Sequence, residues 1–290
     1  MKSGFVSIVG RPNVGKSTLL NRLVGQKVAI VSDKPQTTRN RILGVMHRPE
    51  GQVVLVDTPG IHKPLHPMNQ RMVKVALDAL ANIDLVLLMV DAAQLFGRGD
   101  AYVLELFQRA RPRAFLLLNK VDRVAKPKLL PLLEHYRQLH PFEEFFPISA
   151  LTGINVEELI AAVMERMPEG QPFFEEDQVT DQPERHLAAE LVRERLLHRT
   201  HEELPYALGV VVDQWTERPD GVRIDATIVV EREGQKGIVI GAGGSMLRDA
   251  GTAARLELEK LLGCKVVLKL WVKVKPHWRE DSSLLDEMQI

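Results

Sequence analysis

A short stretch near the amino terminus decides the fold: residues 10–17, which read GRPNVGKS. Its glycines, lysine and serine fit the phosphate-loop pattern, in which glycine frees backbone N–H groups to point at phosphates. An apolar strand pattern at Phe5–Val9 precedes the stretch, and a helix pattern at Lys16–Val24 follows it. Because helix amino termini favour anions, this context predicts a nucleoside triphosphate site rather than a glycine-rich turn.

Two further motifs follow strand patterns and narrow the choice of nucleotide. Residues 57–60 read DTPG and residues 119–122 read NKVD. Asp57 is predicted to hold Mg²⁺, and Gly60 to offer its N–H to the γ-phosphate. The Asp122 carboxylate can accept from two adjacent N–H groups on the edge of guanine, a pair that adenine lacks. The sequence therefore predicts GTP and GDP as ligands.

The predicted site residues fall into three overlapping groups. The nucleotide contacts are expected from Gly10, Arg11, Pro12, Asn13, Val14, Gly15, Lys16, Ser17, Thr18, Asp57, Gly60, Asn119, Lys120, Asp122, Ser149 and Ala150. The metal ligands are expected to be Ser17, Thr38 and Asp57, and the residues that act in hydrolysis Asn13, Lys16, Thr38 and Gly60.

Residues 32–39 form a polar stretch between apolar runs and are predicted to be a mobile loop. Thr37 or Thr38 could close on Mg²⁺ when the γ-phosphate is present, and we favour Thr38. A plain surface loop is the alternative.

The residue after Gly60 bears on how GTP would be hydrolysed. Small GTPases place a Gln there to orient the attacking water, whereas this chain has Ile61, which cannot hydrogen-bond. The site resembles the GTPases with a hydrophobic residue at this position. In part of that group an Asn of the phosphate loop helps to bind K⁺, and Asn13 stands at that place. The nearby His62 and His66 are predicted to be exposed loop histidines rather than a metal pair.

Composition and length describe an ordinary globular protein. The chain has 290 residues, enough for two domains, with 45% hydrophobic and 26% charged residues. Its apolar runs are too short to span a bilayer, and Cys264 is its only cysteine, which excludes an internal disulfide. No stretch reads as a signal peptide, so we expect a cytoplasmic protein. We also expect a monomer.

The first 167 residues alternate strand and helix patterns, so we expect an α/β fold: a P-loop GTPase domain with a mainly parallel sheet. The predicted strands are Phe5–Val9, Ile42–Met46, Val53–Val56, Leu85–Val90, Phe115–Leu118 and Phe145–Ile148. The predicted helices are Lys16–Val24, Met68–Ala81, Ala101–Arg109, Lys128–Leu139 and Val156–Met167.

Residues 168–183, rich in proline and acidic residues, are predicted to be a linker, 184–276 a small α+β domain, and 277–290 a C-terminal tail. The small domain is expected to contain three strands and two helices. They are predicted as a helix at Arg185–Glu203, strands at Ala207–Val212 and Val222–Glu231, a helix at Ser245–Leu262 and a strand at Lys265–Val274.

The net charge is zero, but the charges are unevenly distributed. Residues 134–182 hold 11 acidic and 2 basic residues, whereas residues 236–279 hold 9 basic and 3 acidic residues. A basic region indicates a polyanion partner, or a solvated charged face. Residues 241–244 read GAGG and fit the G-x-x-G loop with which KH domains clamp single-stranded nucleic acid, although a tight turn is the alternative. The predicted RNA contacts are Lys236, Gly241, Ala242, Gly243, Gly244, Ser245, Arg248 and Lys273.

These motifs together resemble the Era family of bacterial GTPases. The residues that carry the resemblance are GRPNVGKS, QTTRNRI, DTPGIH, NKVD, VEREGQKGIVIGAGG and LKLWVKVK, and it covers nearly the whole chain. It implies a KH type II second domain that binds 16S ribosomal RNA near its 3′ end during assembly of the small ribosomal subunit. It also implies GTP-dependent control of RNA binding and peripheral association with the inner face of the cell membrane. The family often carries a polar or basic residue within the G-x-x-G loop, where this chain has Ala242 and Gly243.

Two rival functions use the same motifs. One is an RNA-modifying enzyme driven by GTP, for which the sequence offers no catalytic Cys and no second cofactor motif. The other is a membrane-remodelling GTPase, which would need an amphipathic surface helix beside the basic region. Residues 245–262 read better as a core helix.

Overall fold

A computed structural model describes residues 1–64, 67–81 and 83–290, so the prediction for His66 lies outside the described residues. The chain forms two compact units. The first contains residues 1–29 and 38–181, and the second contains residues 30–37 and 182–290.

The first unit is built on a six-stranded sheet, as predicted. Its strands are β1 (Lys2–Gly10), β2 (Ile42–Arg48), β3 (Gly51–Asp57), β4 (Leu85–Asp91), β5 (Ala114–Asn119) and β6 (Glu144–Pro147). They lie in the order β2-β3-β1-β4-β5-β6, and only β2 is antiparallel to its neighbour. β3 and β4 are buried along their whole length, as expected for strands covered on both faces.

Helices connect these strands and supply the two apolar layers. They are α1 (Lys16–Val24), α2 (Pro67–Asp78), α3 (Arg98–Ala110), α4 (Leu129–Leu139) and α5 (Val156–Arg166). α1 and α5 pack on one apolar core with Leu19, Leu20 and Leu159, and α3 contributes Phe107 to the other. α2 ends at Asp78, three residues before the predicted end.

The parallel register brings the predicted nucleotide motifs together. Ile8 of β1 lies opposite Asp57 of β3, and Asp91 of β4 lies opposite Asn119 of β5. Ligands of open parallel sheets bind outside the carboxyl ends of the strands. The same edge of the sheet therefore carries the phosphate loop, DTPG and NKVD.

The segment predicted to be a linker packs mostly with the first unit. The Ser3 N–H donates to the Pro168 carbonyl at 2.9 Å, and the Val45 N–H donates to the Val179 carbonyl at 2.8 Å. The Thr180 hydroxyl donates to the Leu43 carbonyl at 2.7 Å. The last two bonds lie along the outer edge of β2, and the division between the two units falls between residues 181 and 182.

The second unit has the predicted three strands, β7 (Gly209–Arg218), β8 (Gly221–Val230) and β9 (Lys265–Val274), in the order β7-β8-β9. Its helices are α6 (Glu184–Leu197), α7 (Leu204–Ala207), α8 (Glu233–Ile240), α9 (Ser245–Leu262) and α10 (Ser282–Glu287). The helix predicted for 185–203 is present but shorter, because α6 ends at Leu197, and α7 follows as a separate short helix. α8 and α10 are additional to the prediction.

The segment predicted to be a C-terminal tail is folded into the second unit. Trp278 is fully buried, and its indole N–H donates to the Ala207 carbonyl at 3.0 Å. Leu284 and Leu285 of α10 are also buried. The tail is thus a packed part of this unit.

Residues 30–37, which overlap the predicted mobile loop at positions 32–37, belong to the second unit. Ile30 is 1% exposed and packs with Leu187 and Leu191 of α6. The Val31 N–H donates to Glu194 Oε1 at 2.8 Å, and the buried Arg193 donates to the Thr37 carbonyl. Both ends of the segment are therefore held by packing and hydrogen bonds, while Asp33 and Pro35 between them are exposed. The polar sequence did not indicate that its ends are held.

Candidate functional site: a phosphate loop and a glycine-loop groove

The phosphate loop depends on two close approaches that only glycine allows. Gly15 has φ +105°, and a Cβ atom there would lie 2.3 Å from Asn119 Nδ2. A Cβ atom on Gly60 would lie 2.5 Å from the Pro12 backbone nitrogen. Both glycines therefore let the three motifs meet at van der Waals distance.

Lys16 lies beneath this loop at the start of α1. It is 6% exposed, and its Nζ donates to the Arg11 carbonyl at 3.0 Å. Burial lowers the pKa of the Lys16 ammonium to about 8, while the charge of Asp57 opposes that change. A phosphate group beside Nζ would favour the charged form further.

Three oxygen-bearing side chains meet beside Lys16. The Ser17 hydroxyl donates to Asp57 Oδ2 at 2.6 Å and lies 2.8 Å from the Thr38 hydroxyl. Asp57 is fully buried, and within the described chain its Oδ1 has no hydrogen-bond partner. Burial raises the pKa of the Asp57 carboxyl, opposed by the Lys16 charge and the Ser17 hydrogen bond. Hard oxygen ligands around an incompletely satisfied carboxylate suit Mg²⁺.

The two candidate threonines have different partners. The Thr38 hydroxyl belongs to the oxygen cluster, whereas the Thr37 hydroxyl donates to the Lys34 carbonyl at 2.7 Å. The geometry therefore favours Thr38 as the metal-facing residue, in line with the sequence-based preference.

Ile61 faces away from the loop. Its side chain is 2% exposed and belongs to the same apolar core as Val9 and Val90. Its backbone N–H donates to the Gly10 carbonyl at 3.0 Å, which ties DTPG to the end of β1. The side chain after Gly60 is thus a core residue.

Asn119 and Lys120 brace the phosphate loop from β5. The Asn119 amide donates to the Val14 carbonyl at 2.7 Å and accepts from the Ala150 N–H at 2.8 Å. Lys120 Nζ donates to the Asn13 carbonyl at 2.7 Å and pairs with Asp91 at the same distance. These hydrogen bonds therefore connect five predicted site residues.

The remaining predicted residues lie around that network. Asp122 lies three residues after the end of β5, and its side chain is 21% exposed. Ser149 lies just after β6 and is fully buried. Arg11, Pro12 and Thr18 lie in the phosphate loop and the first turn of α1. Their contacts with a nucleotide stay predictions.

Two aspartates were missed by the sequence analysis. Asp91 accepts from Lys120, and Asp100 of α3 accepts from Arg11 of the phosphate loop at 2.7 Å. Asp91 ends β4 as Asp57 ends β3, so its position at a strand end was the available signal. Asp100 had no comparable signal, because its partner lies 89 residues away.

In the second unit, the predicted glycine loop joins α8 to α9. Gly241, Gly243 and Gly244 all have positive φ, and Arg248 Nη2 donates to the Gly243 carbonyl at 3.4 Å. A Cβ atom on Gly241 would lie 2.7 Å from Met246 Cβ, so the turn into α9 requires glycine there. Ala242 and Ser245 are exposed.

A groove of about 330 Å³ opens beside this loop, between α9 and β9. Leu247 and Thr252 line one side, and Leu268 and Leu270 line the other. Arg248 adds positive charge, and Arg255 also lines the groove but pairs with Glu259 at 2.7 Å. A groove with an apolar floor and cationic groups suits unstacked bases and their phosphates. The sequence motifs did not predict the leucine floor.

Two of the eight predicted RNA contacts, Gly244 and Arg248, line the groove. Four more belong to the glycine loop beside it or to the start of α9: Gly241, Ala242, Gly243 and Ser245. The last two lie elsewhere. Lys236 belongs to α8, and Lys273 lies on the face of β9 opposite Leu268 and Leu270.

Within the described residues, no three acidic, His or Cys side chains form a metal cluster, and no helix is long and apolar enough to cross a bilayer.

Two family models match the chain. The model of the 50S ribosome-binding GTPase family matches residues 5–120, and the KH domain model matches residues 203–279.

Two solved structures match almost the whole chain. A tyrosine-to-alanine variant of Era from Aquifex aeolicus bound to GDP·AlF4⁻ is 40% identical, with 99% of each chain covered and a TM-score of 0.95. Era in complex with MgGDPNP and nucleotides 1506–1542 of 16S ribosomal RNA is also 40% identical, with 99% of this chain and 98% of that chain covered and a TM-score of 0.96. The chain belongs to the Era family.

For this Era-family protein, the fold class inferred from the sequence is confirmed: a P-loop GTPase domain followed by a KH domain. The phosphate loop lies within the residues of the first model, and the glycine loop lies within those of the second.

The buried Asp57 carboxylate should lower the stability of this Era-family protein when nucleotide and metal are not bound. Because burial raises its pKa, holding it charged at neutral pH costs free energy, so we expect Asp57→Asn to stabilise the metal-free protein by about 1–2 kcal/mol. The gain should shrink as the pH falls through the raised pKa, since protonated Asp57 is itself neutral. Urea unfolding in chelator across a pH series measures it.

Asp33→Asn is the matched control, because that side chain is 77% exposed and its loss should change the free energy of unfolding by under about 0.5 kcal/mol. Destabilisation by Asp57→Asn at neutral pH would contradict the interpretation.

Proposed function

We propose that this chain binds GTP with Mg²⁺, hydrolyses it to GDP and phosphate, and binds 16S ribosomal RNA near its 3′ end to assist assembly of the small ribosomal subunit. The observation that carries the nucleotide half is the meeting of Ser17, Thr38 and the incompletely satisfied Asp57 beside the buried Lys16. Related Era proteins in complexes with GDP·AlF4⁻, MgGDPNP and 16S ribosomal RNA support both halves.

The chain's own groups divide the work of the phosphate site. Lys16 neutralises the β- and γ-phosphates, and the backbone N–H groups of the loop and of Gly60 hold the phosphate oxygens. Ser17, Thr38 and Asp57 would hold Mg²⁺, which supplies charge stabilisation for the transferring phosphoryl group. The fit is chemical, since all three offer hard oxygen ligands and Asp57 has an unused one.

Base choice is assigned to Asp122, which accepts the paired N–H groups of guanine while Asn119 and Lys120 hold its surroundings rigid. We expect Asp122→Asn to shift preference from GTP to xanthosine triphosphate by about a hundredfold or more, because the amide presents a donor where the carboxylate accepted. Competitive binding with both nucleotides measures the shift. Unchanged preference for GTP, or ATP bound as tightly as GTP by the unmodified protein, would refute guanine selection.

We also propose that K⁺ assists hydrolysis at Asn13. The supporting observation is that Ile61 is buried in the core, so that side chain does not orient the attacking water. We expect turnover to rise about tenfold or more when K⁺ replaces Na⁺, and Asn13→Ala to remove the difference. Steady-state phosphate release in the two salts tests this, with GTP affinity measured alongside. Equal turnover of the unmodified protein in both salts counts against the proposal.

RNA binding is assigned to the glycine loop and the groove between α9 and β9. We expect Gly243→Asp to weaken binding of a 3′-terminal 16S RNA oligonucleotide by about tenfold or more, because it places a carboxylate where phosphates approach the main chain. GTP binding by the first unit is the internal control. RNA affinity unaffected by the substitution, or crosslinks only outside residues 236–279, would favour a rival function.

We further propose that the protein is cytoplasmic, monomeric and peripherally associated with the inner face of the cell membrane. These statements are supported by the family resemblance alone. Fractionation and sedimentation test them.

A further inference from the structure

The two faces of β9 have different surroundings. The even-numbered residues Leu268, Leu270 and Val272 are partly buried and pack against the apolar core of the second unit. The odd-numbered residues point the other way and are all exposed: Lys265, Val267, Lys269, Trp271 and Lys273. We call these five residues the outer β9 face.

The outer β9 face exposes apolar side chains on the edge strand of the sheet. Trp271 and Val267 are each 48% exposed, and β9 is the last strand of its sheet. A tryptophan and a valine exposed on an edge strand create an aggregation hazard that lysines alone would not. Edge protection explains the three lysines but not the exposed tryptophan between two of them.

The neighbouring carboxylates already have other partners. Asp225, opposite Lys269, pairs with Arg223 at 2.8 Å, and Asp213 accepts from Thr227 at 2.8 Å. Thr227 lies beside Trp271 in the β8–β9 register. The positive charge of β9 is therefore only partly countered by the adjacent strands.

The spacing of the face suits one kind of polymer. Alternate residues of a strand stand about 6.6 Å apart, so Trp271 lies midway between two cations along a line of about 13 Å. Single-stranded nucleic acid offers repeated phosphates and bases that stack on aromatic rings. A free phosphate or an acidic peptide would use the lysines but not the ring.

We propose that the outer β9 face is a second binding surface for single-stranded RNA, on which a base stacks on Trp271 while Lys269 and Lys273 contact the flanking phosphates. The inference rests on the RNA binding proposed above. The groove floor and the outer face belong to the same edge strand, so an RNA leaving the groove crosses only β9 to reach Trp271. A glycine loop clamps about four nucleotides, which leaves a longer RNA free to continue.

The test compares RNA length in the full-length protein. We expect Trp271→Ala to lower the affinity for an RNA of about 12 nucleotides by about tenfold, because this RNA reaches the ring. The affinity for an RNA of about 5 nucleotides should change by less than about twofold, because it is held by the glycine loop alone. Trp271→Phe should retain most of the affinity. For the longer RNA, Lys269→Ala and Lys273→Ala should each reduce the slope of the logarithm of the binding constant against the logarithm of the salt concentration by about 0.7.

Phe173→Ala is the matched control, since this aromatic residue is 53% exposed in the first unit and should change neither affinity. Equal loss for both RNAs, or no loss for the longer one, overturns the proposal. So does a Trp271→Ala effect confined to anionic vesicles or to self-association measured by sedimentation.

Gly243→Asp separates this inference from the proposed function. If Gly243→Asp lowers the affinity for both RNAs while Trp271→Ala changes neither affinity, the proposal for the outer β9 face is refuted and RNA binding in the groove is supported. If the unmodified protein binds neither RNA, the proposed function itself fails.

Discussion

The first unit depends on one carboxylate kept at a position that water does not reach. Asp57 is fully buried, and the ammonium of the nearby Lys16 is penalised by burial in its turn. Each charge partly offsets the cost of the other, but a buried pair without complete hydrogen bonding remains expensive. The site is therefore incomplete by itself, and an added cation and an added anion would each relieve one of the two penalties.

The chain between α1 and β2 changes its environment at a single peptide bond. The Thr37 carbonyl accepts from Arg193, which is buried and paired through two hydrogen bonds with Glu190. The hydroxyl of Thr38 belongs to the oxygen cluster of Ser17 and Asp57. The division between the two units therefore falls at the peptide bond between Thr37 and Thr38.

Sequence pattern predicted those elements whose ends glycine defines. α1 lies between Gly15 and Gly25, α9 lies between Gly244 and Gly263, and both helices have the predicted bounds. α8 escaped prediction because its glycines lower helix propensity, while its start depends on Gln235 accepting from two backbone N–H groups. The packing of residues 30–37 could not be predicted, since their partners lie on α6, as Arg193 does, 156 residues away from Thr37.

The zero net charge of the chain does not argue against a polyanion partner. Salt screens exposed charges beyond about 8–10 Å, so each region of the surface acts mainly through its own charges. The groove arginines and the β9 lysines act over the distance of one phosphate contact, where local charge decides the interaction. Charge segregated along a neutral chain therefore favours binding at one region without general adhesion to nucleic acid.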